Sequence, residues 1–187
     1  MRSSKLIFLF TLLVVVSSCT KDRIFYPEIS EMVNDTVLGD SGGVFLNEIL
    51  AASSGSFPDP ADGSSDDWFE ICNTSNLPVD LSGFAFSDDF NDPQKAVLPD
   101  NPDELTIPAG GFLIFWADDT PSQGVRHLGF KLSSTNGDLL IMSNPSGELM
   151  DSVAFGPQTQ EVSLGRSPDG RGAWKLFTSP SPGRKNQ

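Results

Sequence analysis

Gly111-Phe112-Leu113-Ile114-Phe115-Trp116-Ala117 is an unbroken apolar run with no polar side chain. It is too short for a buried helix, and it fits a strand covered on both faces. Ile107-Pro108-Ala109-Gly110 precedes it, where proline and glycine set a turn before the strand. Outward from this run the same texture repeats. Trp68-Phe69-Glu70-Ile71-Cys72 alternates, with Phe69 and Ile71 on one face and Trp68, Glu70 and Cys72 on the other. Val44–Leu50, Val79–Ser87, Leu139–Met142 and Leu149–Phe155 are further short runs. Asn136-Gly137-Asp138 and Asn144-Pro145-Ser146-Gly147 punctuate them as turns. After Cys19, no stretch of about twelve residues carries a capped 3.6-residue period. The fold class is all-β, a sandwich or barrel.

The N-terminus has a different character. Met1-Arg2-Ser3-Ser4-Lys5 is basic, and Leu6 to Val16 is apolar. A run of about eleven residues is short of the roughly twenty that span a bilayer, and it fits a secretory signal. Val16-Ser17-Ser18-Cys19 resembles a bacterial lipobox. The resemblance implies cleavage before Cys19 and lipid on its sulfur and amine, so that the chain is held at a membrane. Three segments are expected: 1–18 as signal peptide, 19–43 as lipidated Cys19 and tether, and 44–187 as the β domain. The location implied is the bacterial cell envelope, on the periplasmic face of the outer membrane or the cell surface. A lipidated Cys19 leaves Cys72 as a lone thiol, expected to be packed and inert. No Cys/His spacing of a structural zinc motif is present.

The 187 residues carry 12 Lys+Arg against 25 Asp+Glu, a formal charge of -13. That length suits one domain with its own core. The acidity argues against phosphate-backbone binding, which Lys and Arg drive by displacing counterions.

The order of short motifs resembles the lamin-tail domain family. Leu46-Asn47-Glu48-Ile49 matches its opening strand, and Asp67-Trp68-Phe69-Glu70-Ile71-Cys72-Asn73 its second. Val79-Asp80-Leu81-Ser82-Gly83-Phe84 with Ser87-Asp88-Asp89, and Ile107 to Phe112, continue the series. Phe130-Lys131-Leu132-Ser133, Gly147 with Asp151-Ser152-Val153, Gly165-Arg166 with Pro168-Asp169-Gly170 and Trp174, and Ser181-Pro182-Gly183 with Asn186 complete it. The resemblance covers roughly Val44 to Gln187, and Cys72 departs from the family's aromatic. It implies an immunoglobulin-like β-sandwich, of a kind found in secreted or surface proteins of bacteria. Bacterial relatives are often fused to hydrolases or nucleases, whereas signal, tether and sandwich use up this chain.

Signals for catalysis are sparse. There is no G-x-S-x-G elbow, and the only histidine, His127, reads as a structural or loop residue. Asp59, Asp62, Asp66 and Asp67 share one Gly/Ser/Pro loop and are the candidate metal ligands. Calcium takes six to eight oxygens from such loops, while solvated turn acids are the plain alternative. Asp88, Asp89, Asn91 and Asp92 form a second acidic cluster. Trp68, Trp116 and Trp174 read as core residues or as a stacking platform, with Trp68 the candidate binding residue. Arg166, near Arg171, reads as an anion ligand or as a partner for the abundant carboxylates.

The expected function is a non-catalytic, lipid-anchored binding module of the cell envelope, stabilised by calcium. Its partner would be a protein or glycan, with no nucleic acid expected. The alternatives are a small metal-assisted hydrolase on the acidic loop and a nucleic-acid-binding accessory domain. The paired carboxylates of a glycosidase have no supporting spacing.

Overall fold

The computed structural model describes residues 43–187. The signal peptide, lipidation of Cys19 and the tether lie outside the described residues. The strands are β1 (Val44–Leu50), β2 (Trp68–Asn73), β3 (Val79–Asp80), β4 (Ala85–Ser87), β5 (Ala96–Val97), β6 (Thr106–Ile107), β7 (Phe112–Trp116), β8 (Asp138–Ser143), β9 (Leu149–Phe155), β10 (Ser163–Ser167) and β11 (Ala173–Phe177). One helical turn, α1 (Pro102–Leu105), precedes β6. No described helix is long and apolar enough to cross a membrane.

Two antiparallel sheets face each other. The first has the order β11-β10-β1-β2-β7, the second β5-β4-β8-β9, and β3 pairs with β6 alone. This is an immunoglobulin-like sandwich. Phe86 of β4 ties the sheets together. Its ring lies 5.0 Å from Phe69 of β2 and 4.8 Å from Phe115 of β7. Leu46, Ile49, Ile71, Leu81, Leu140 and Met142 complete the interior and are fully buried. Each such side chain contributes roughly 1.5–3 kcal/mol.

Alternation explains the pairing. Phe69 stands opposite Phe115 and Ile71 opposite Leu113, all toward the interior. Trp68 stands opposite Trp116 on the reverse face of the same sheet. On β1 the inward residues are Leu46 and Ile49, three apart, and the register slips between Leu46 and Glu48. A bulge at Asn47 therefore restores the inward face. The expected run Val79–Ser87 is broken into β3 and β4 at Gly83, whose φ of 79° suits glycine.

The reverse face of the first sheet is not left to solvent. Its apolar half, Leu50, Trp68, Ile114 and Trp116, is packed against Phe57 of the β1–β2 loop. Its polar half, Glu48 and Glu70, holds the C-terminal segment. Ser181 donates its N–H to Glu48, and Gly183 donates its N–H to Glu70 Oε2 at 2.6 Å. The run Gly111–Ala117 is thus apolar on both faces because one side meets the interior and the other meets a loop.

Candidate functional site

The β1–β2 loop delivers an acid to the end of β7. Phe57 stacks on Trp116 at 5.4 Å and meets Trp68 edge-on at 5.8 Å. Two residues later Asp59 is only 1 % exposed. Its Oδ1 accepts the Ala61 N–H at 2.8 Å, which shapes the local turn. Asp118, directly after the apolar run, repeats the device, its Oδ1 accepting the Thr120 N–H at 2.9 Å. The chain then returns beside β7, where Trp116 donates its N–H to the Arg126 carbonyl and its own carbonyl accepts the Leu128 N–H. This places the His127 ring against Trp116, 6.4 Å between centroids.

Three groups converge there. His127 Nδ1 lies 2.7 Å from Asp118 Oδ2 and 3.4 Å from Asp59 Oδ2. All three residues are buried. Nδ1 carries at most one hydrogen, and Asp118 at the shorter distance takes it. Asp59 Oδ2 is consequently buried with no hydrogen-bond partner among the described residues. An unsatisfied buried carboxylate oxygen is costly unless something else neutralises it.

Asp62 and Asp66 form the rim. An oxygen from each lies within 4.8 Å of one from Asp59. Ser64 donates to Asp62 and holds its carboxyl below the ordinary range, with Gln123 adding a bond at 2.8 Å. Burial pushes the Asp66 carboxyl up, and the charges of Asp118, Asp62 and Asp59 push it further.

The expected set of four acids therefore changes. Asp59, Asp62 and Asp66 do gather, but Asp67 stands apart from the clusters. Consecutive residues entering a strand point to opposite sides, which separates Asp67 from Asp66. The Asp67 carboxyl is pushed up to about 6, chiefly by burial. Asp118 and His127 join instead. His127, expected as a structural or loop residue, is buried and meets two carboxylates. Only the turn after Asp118 and the return of the chain bring His127 back to β7, and neither residue's own neighbours signal it.

Two further candidates need correction. Trp68 is fully buried between its sheet and Phe57, so it offers no stacking face. Arg166 is engaged within the scaffold. Its Nη2 donates to Asp151 at 3.0 and 3.2 Å, its Nε to the Leu46 carbonyl at 3.0 Å and its Nη1 to the Gly172 carbonyl at 3.3 Å. Its guanidinium also lies 4.5 Å from the centre of the Trp174 ring. The alternative that Arg166 pairs with a carboxylate is the observed one.

The second acidic cluster serves its own turn. Asp89 Oδ1 accepts the Asn91 N–H, and Asp88 pairs with Lys95 at 2.7 Å. Cys72 is buried, and burial pushes its thiol up to about 12, so it is inert as a nucleophile.

Glu48 and Glu70 are strand residues whose setting the sequence does not signal. Standing opposite each other, they are both fully buried. Glu70 is pushed up to about 8, chiefly by burial and further by the charges of Glu48 and Asp169. Asn47, Ser163, Asp169 and Asn186 complete this network. Its bonds hold the C-terminal segment rather than meeting solvent.

The two-sheet sandwich, its bulged first strand and its inward Phe pair define an immunoglobulin-like domain. The Lamin Tail Domain model matches residues 39–157, and the chain belongs to that family. The family is immunoglobulin-like and non-enzymatic. No curated protein and no solved structure matches the chain. β10 and β11 lie beyond the matched residues, yet they complete the first sheet through β1.

Proposed function

We propose that this chain is a lipid-anchored interaction module of a bacterial cell envelope, held through Cys19, that binds an extended apolar segment of a partner protein. One observation carries the binding half: an apolar groove beside a sheet edge that is unpaired among the described residues. Val153, Phe155, Leu164, Trp174 and Leu176 line this groove of about 270 Å³. Leu176 is 69 % exposed, the most exposed large apolar side chain among the described residues. Among the described residues β11 ends its sheet, and its outer backbone groups pair with none of them, so they can accept an added strand. At the opposite edge, residues 126–128 already bond to the end of β7.

The apolar lining favours a peptide over a glycan, whose hydroxyls need polar partners. A cation in the β1–β2 loop belongs to the same reading as a stabiliser. Calcium was the expected ion, and Asp59, Asp62 and Asp66 are the acids that could hold it. A hydrolase on these acids needs an open metal position, and the burial of Asp59 argues against one. The acidity weighs against nucleic acid.

Anchoring is tested by detergent phase partitioning. The wild type is expected in the detergent phase and Cys19→Ala in the aqueous phase. A Cys19→Ala protein that stays with detergent overturns the anchor. Binding is tested by co-sedimentation with envelope protein fractions. Leu176→Glu is expected to lower it at least about tenfold, and an unchanged value overturns the groove.

A further inference from the structure

We propose that Asp59, Asp118 and His127 form a binding site for a zinc-class divalent cation that staples the β1–β2 loop to the end of β7. This rests on the reading above only in treating the loop as cation-bound; anchoring and partner binding can fail without it. Three donor atoms, one from each residue, lie within 4.8 Å of one another, and all three residues are buried. Asp59 Oδ2 supplies the independent observation. Among the described residues it is buried without a hydrogen-bond partner, on a residue 1 % exposed, and it faces His127 Nδ1 at 3.4 Å.

The donor chemistry selects the ion. Calcium seeks six to eight oxygens, and a buried imidazole nitrogen is not among its usual ligands. Imidazole with carboxylates suits zinc and its neighbours. Ligands at about 2.0–2.1 Å around a tetrahedral ion stand about 3.4 Å apart. The His127–Asp59 separation already has this value, whereas Asp118 at 2.7 Å must open by about 0.7 Å. On binding, Nδ1 gives up any proton it holds to solvent, and the ion replaces that proton between the nitrogen and the two carboxylates. Asp62 and Asp66 each bring an oxygen within 4.8 Å of one from Asp59 and form a rim beside the site.

The ion would neutralise the orphaned Asp59 oxygen and tie together two chain segments far apart in sequence. Phe57 rides on the same loop, so the staple also holds the cover over Trp68 and Trp116.

The test uses the full chain in detergent, stripped by chelator. Zinc chloride and calcium chloride are titrated separately by calorimetry, and cobalt(II) is followed by visible absorption. One zinc per chain is expected, with a cobalt band of low-symmetry nitrogen–oxygen coordination. Asp59→Asn and His127→Asn are expected to weaken zinc at least about 100-fold, and Asp67→Asn to leave it unchanged. Asp59→Asn removes the orphaned charge, so its apo fold is expected to stand, checked by circular dichroism. No zinc heat and no cobalt band overturn the proposal. So does binding that both variants retain, and calcium bound more tightly than zinc overturns the ion class.

Discussion

Arg166→Met tests how the two sheets are closed against each other. Arg166 sits on β10 of the first sheet and Asp151 on β9 of the second, and their side chains are 16 % and 11 % exposed. Asp151 also accepts the Leu46 N–H at 3.1 Å, so one carboxylate serves both sheets. Burial pushes the Asp151 carboxyl up even with the guanidinium beside it. The pair is therefore weak as a net source of stability but expensive to break. Methionine keeps the apolar stem over Trp174 and deletes the guanidinium. It leaves a mostly buried carboxylate with only backbone donors. Breaking a buried pair costs about 3–5 kcal/mol, and the residual exposure lowers this to about 2–4 kcal/mol. At this chain length that is a fall of roughly 5–15 °C in Tm.

Removing the cation raises the Asp151 carboxyl further. A raised carboxyl adds stability that is full at low pH and lost as pH rises through its folded value. The deficit of Arg166→Met is therefore expected to be smaller at pH 5 than at pH 7.5. Urea denaturation of Arg166→Met, Asp151→Leu and the double variant at both pH values measures it. The double variant is expected to lose at least about 1.5 kcal/mol less than the two single losses together. Additive losses, or a single loss under about 1 kcal/mol, would refute the clamp.

Other consequences follow from particular residues. Glu70 rises from 4.5 to about 8, so its contribution is present below pH 4.5 and disappears as pH passes about 8. Denaturant melts should show stability falling between these values by up to about 1.4 kcal/mol per pH unit, with a flatter profile in Glu70→Gln. Phe57→Ala removes the cover from two indoles; it is expected to cost about 1.5–3 kcal/mol and to red-shift tryptophan emission. Gly137 has a φ of 79°, and a Cβ there would stand 2.1 Å from the Phe155 carbonyl oxygen. Gly137→Ala is expected to cost at least about 2 kcal/mol by thermal melting. Cys72 in the folded chain should resist a thiol reagent and react only on unfolding, as stopped-time labelling would show.

What could be read in advance followed local periodicity. The alternation in Trp68–Cys72 and the two-faced run Gly111–Ala117 placed the central strands. The bulge between Leu46 and Glu48 is set by the pairing of β1 with β2, which the run Val44–Leu50 does not show by itself. The tail was recognised only as a closing motif. Its role depends on Glu48 and Glu70 meeting Ser181 and Gly183 more than a hundred positions away. Isolated acids on a strand look solvated until a distant segment covers them. The same limit applied to the acidic loop. Asp59, Asp62 and Asp66 share a loop and lie near one another, but Asp118 and His127 reach Asp59 only through the return of the chain beside β7. Asp67, adjacent to Asp66, was grouped by sequence proximity and separated by strand geometry.

We propose the groove beside β11 as the binding surface of an anchored module. Leu176 and Leu77 are 69 % and 67 % exposed, so they are matched probes at different places. A photo-crosslinking residue at each position, in the full chain on intact envelopes, tests the claim directly. Position 176 is expected to give a discrete protein adduct, lost when Trp174→Ala reshapes the groove, while position 77 gives none. Equal labelling at the two positions, or none at 176, would contradict the claim.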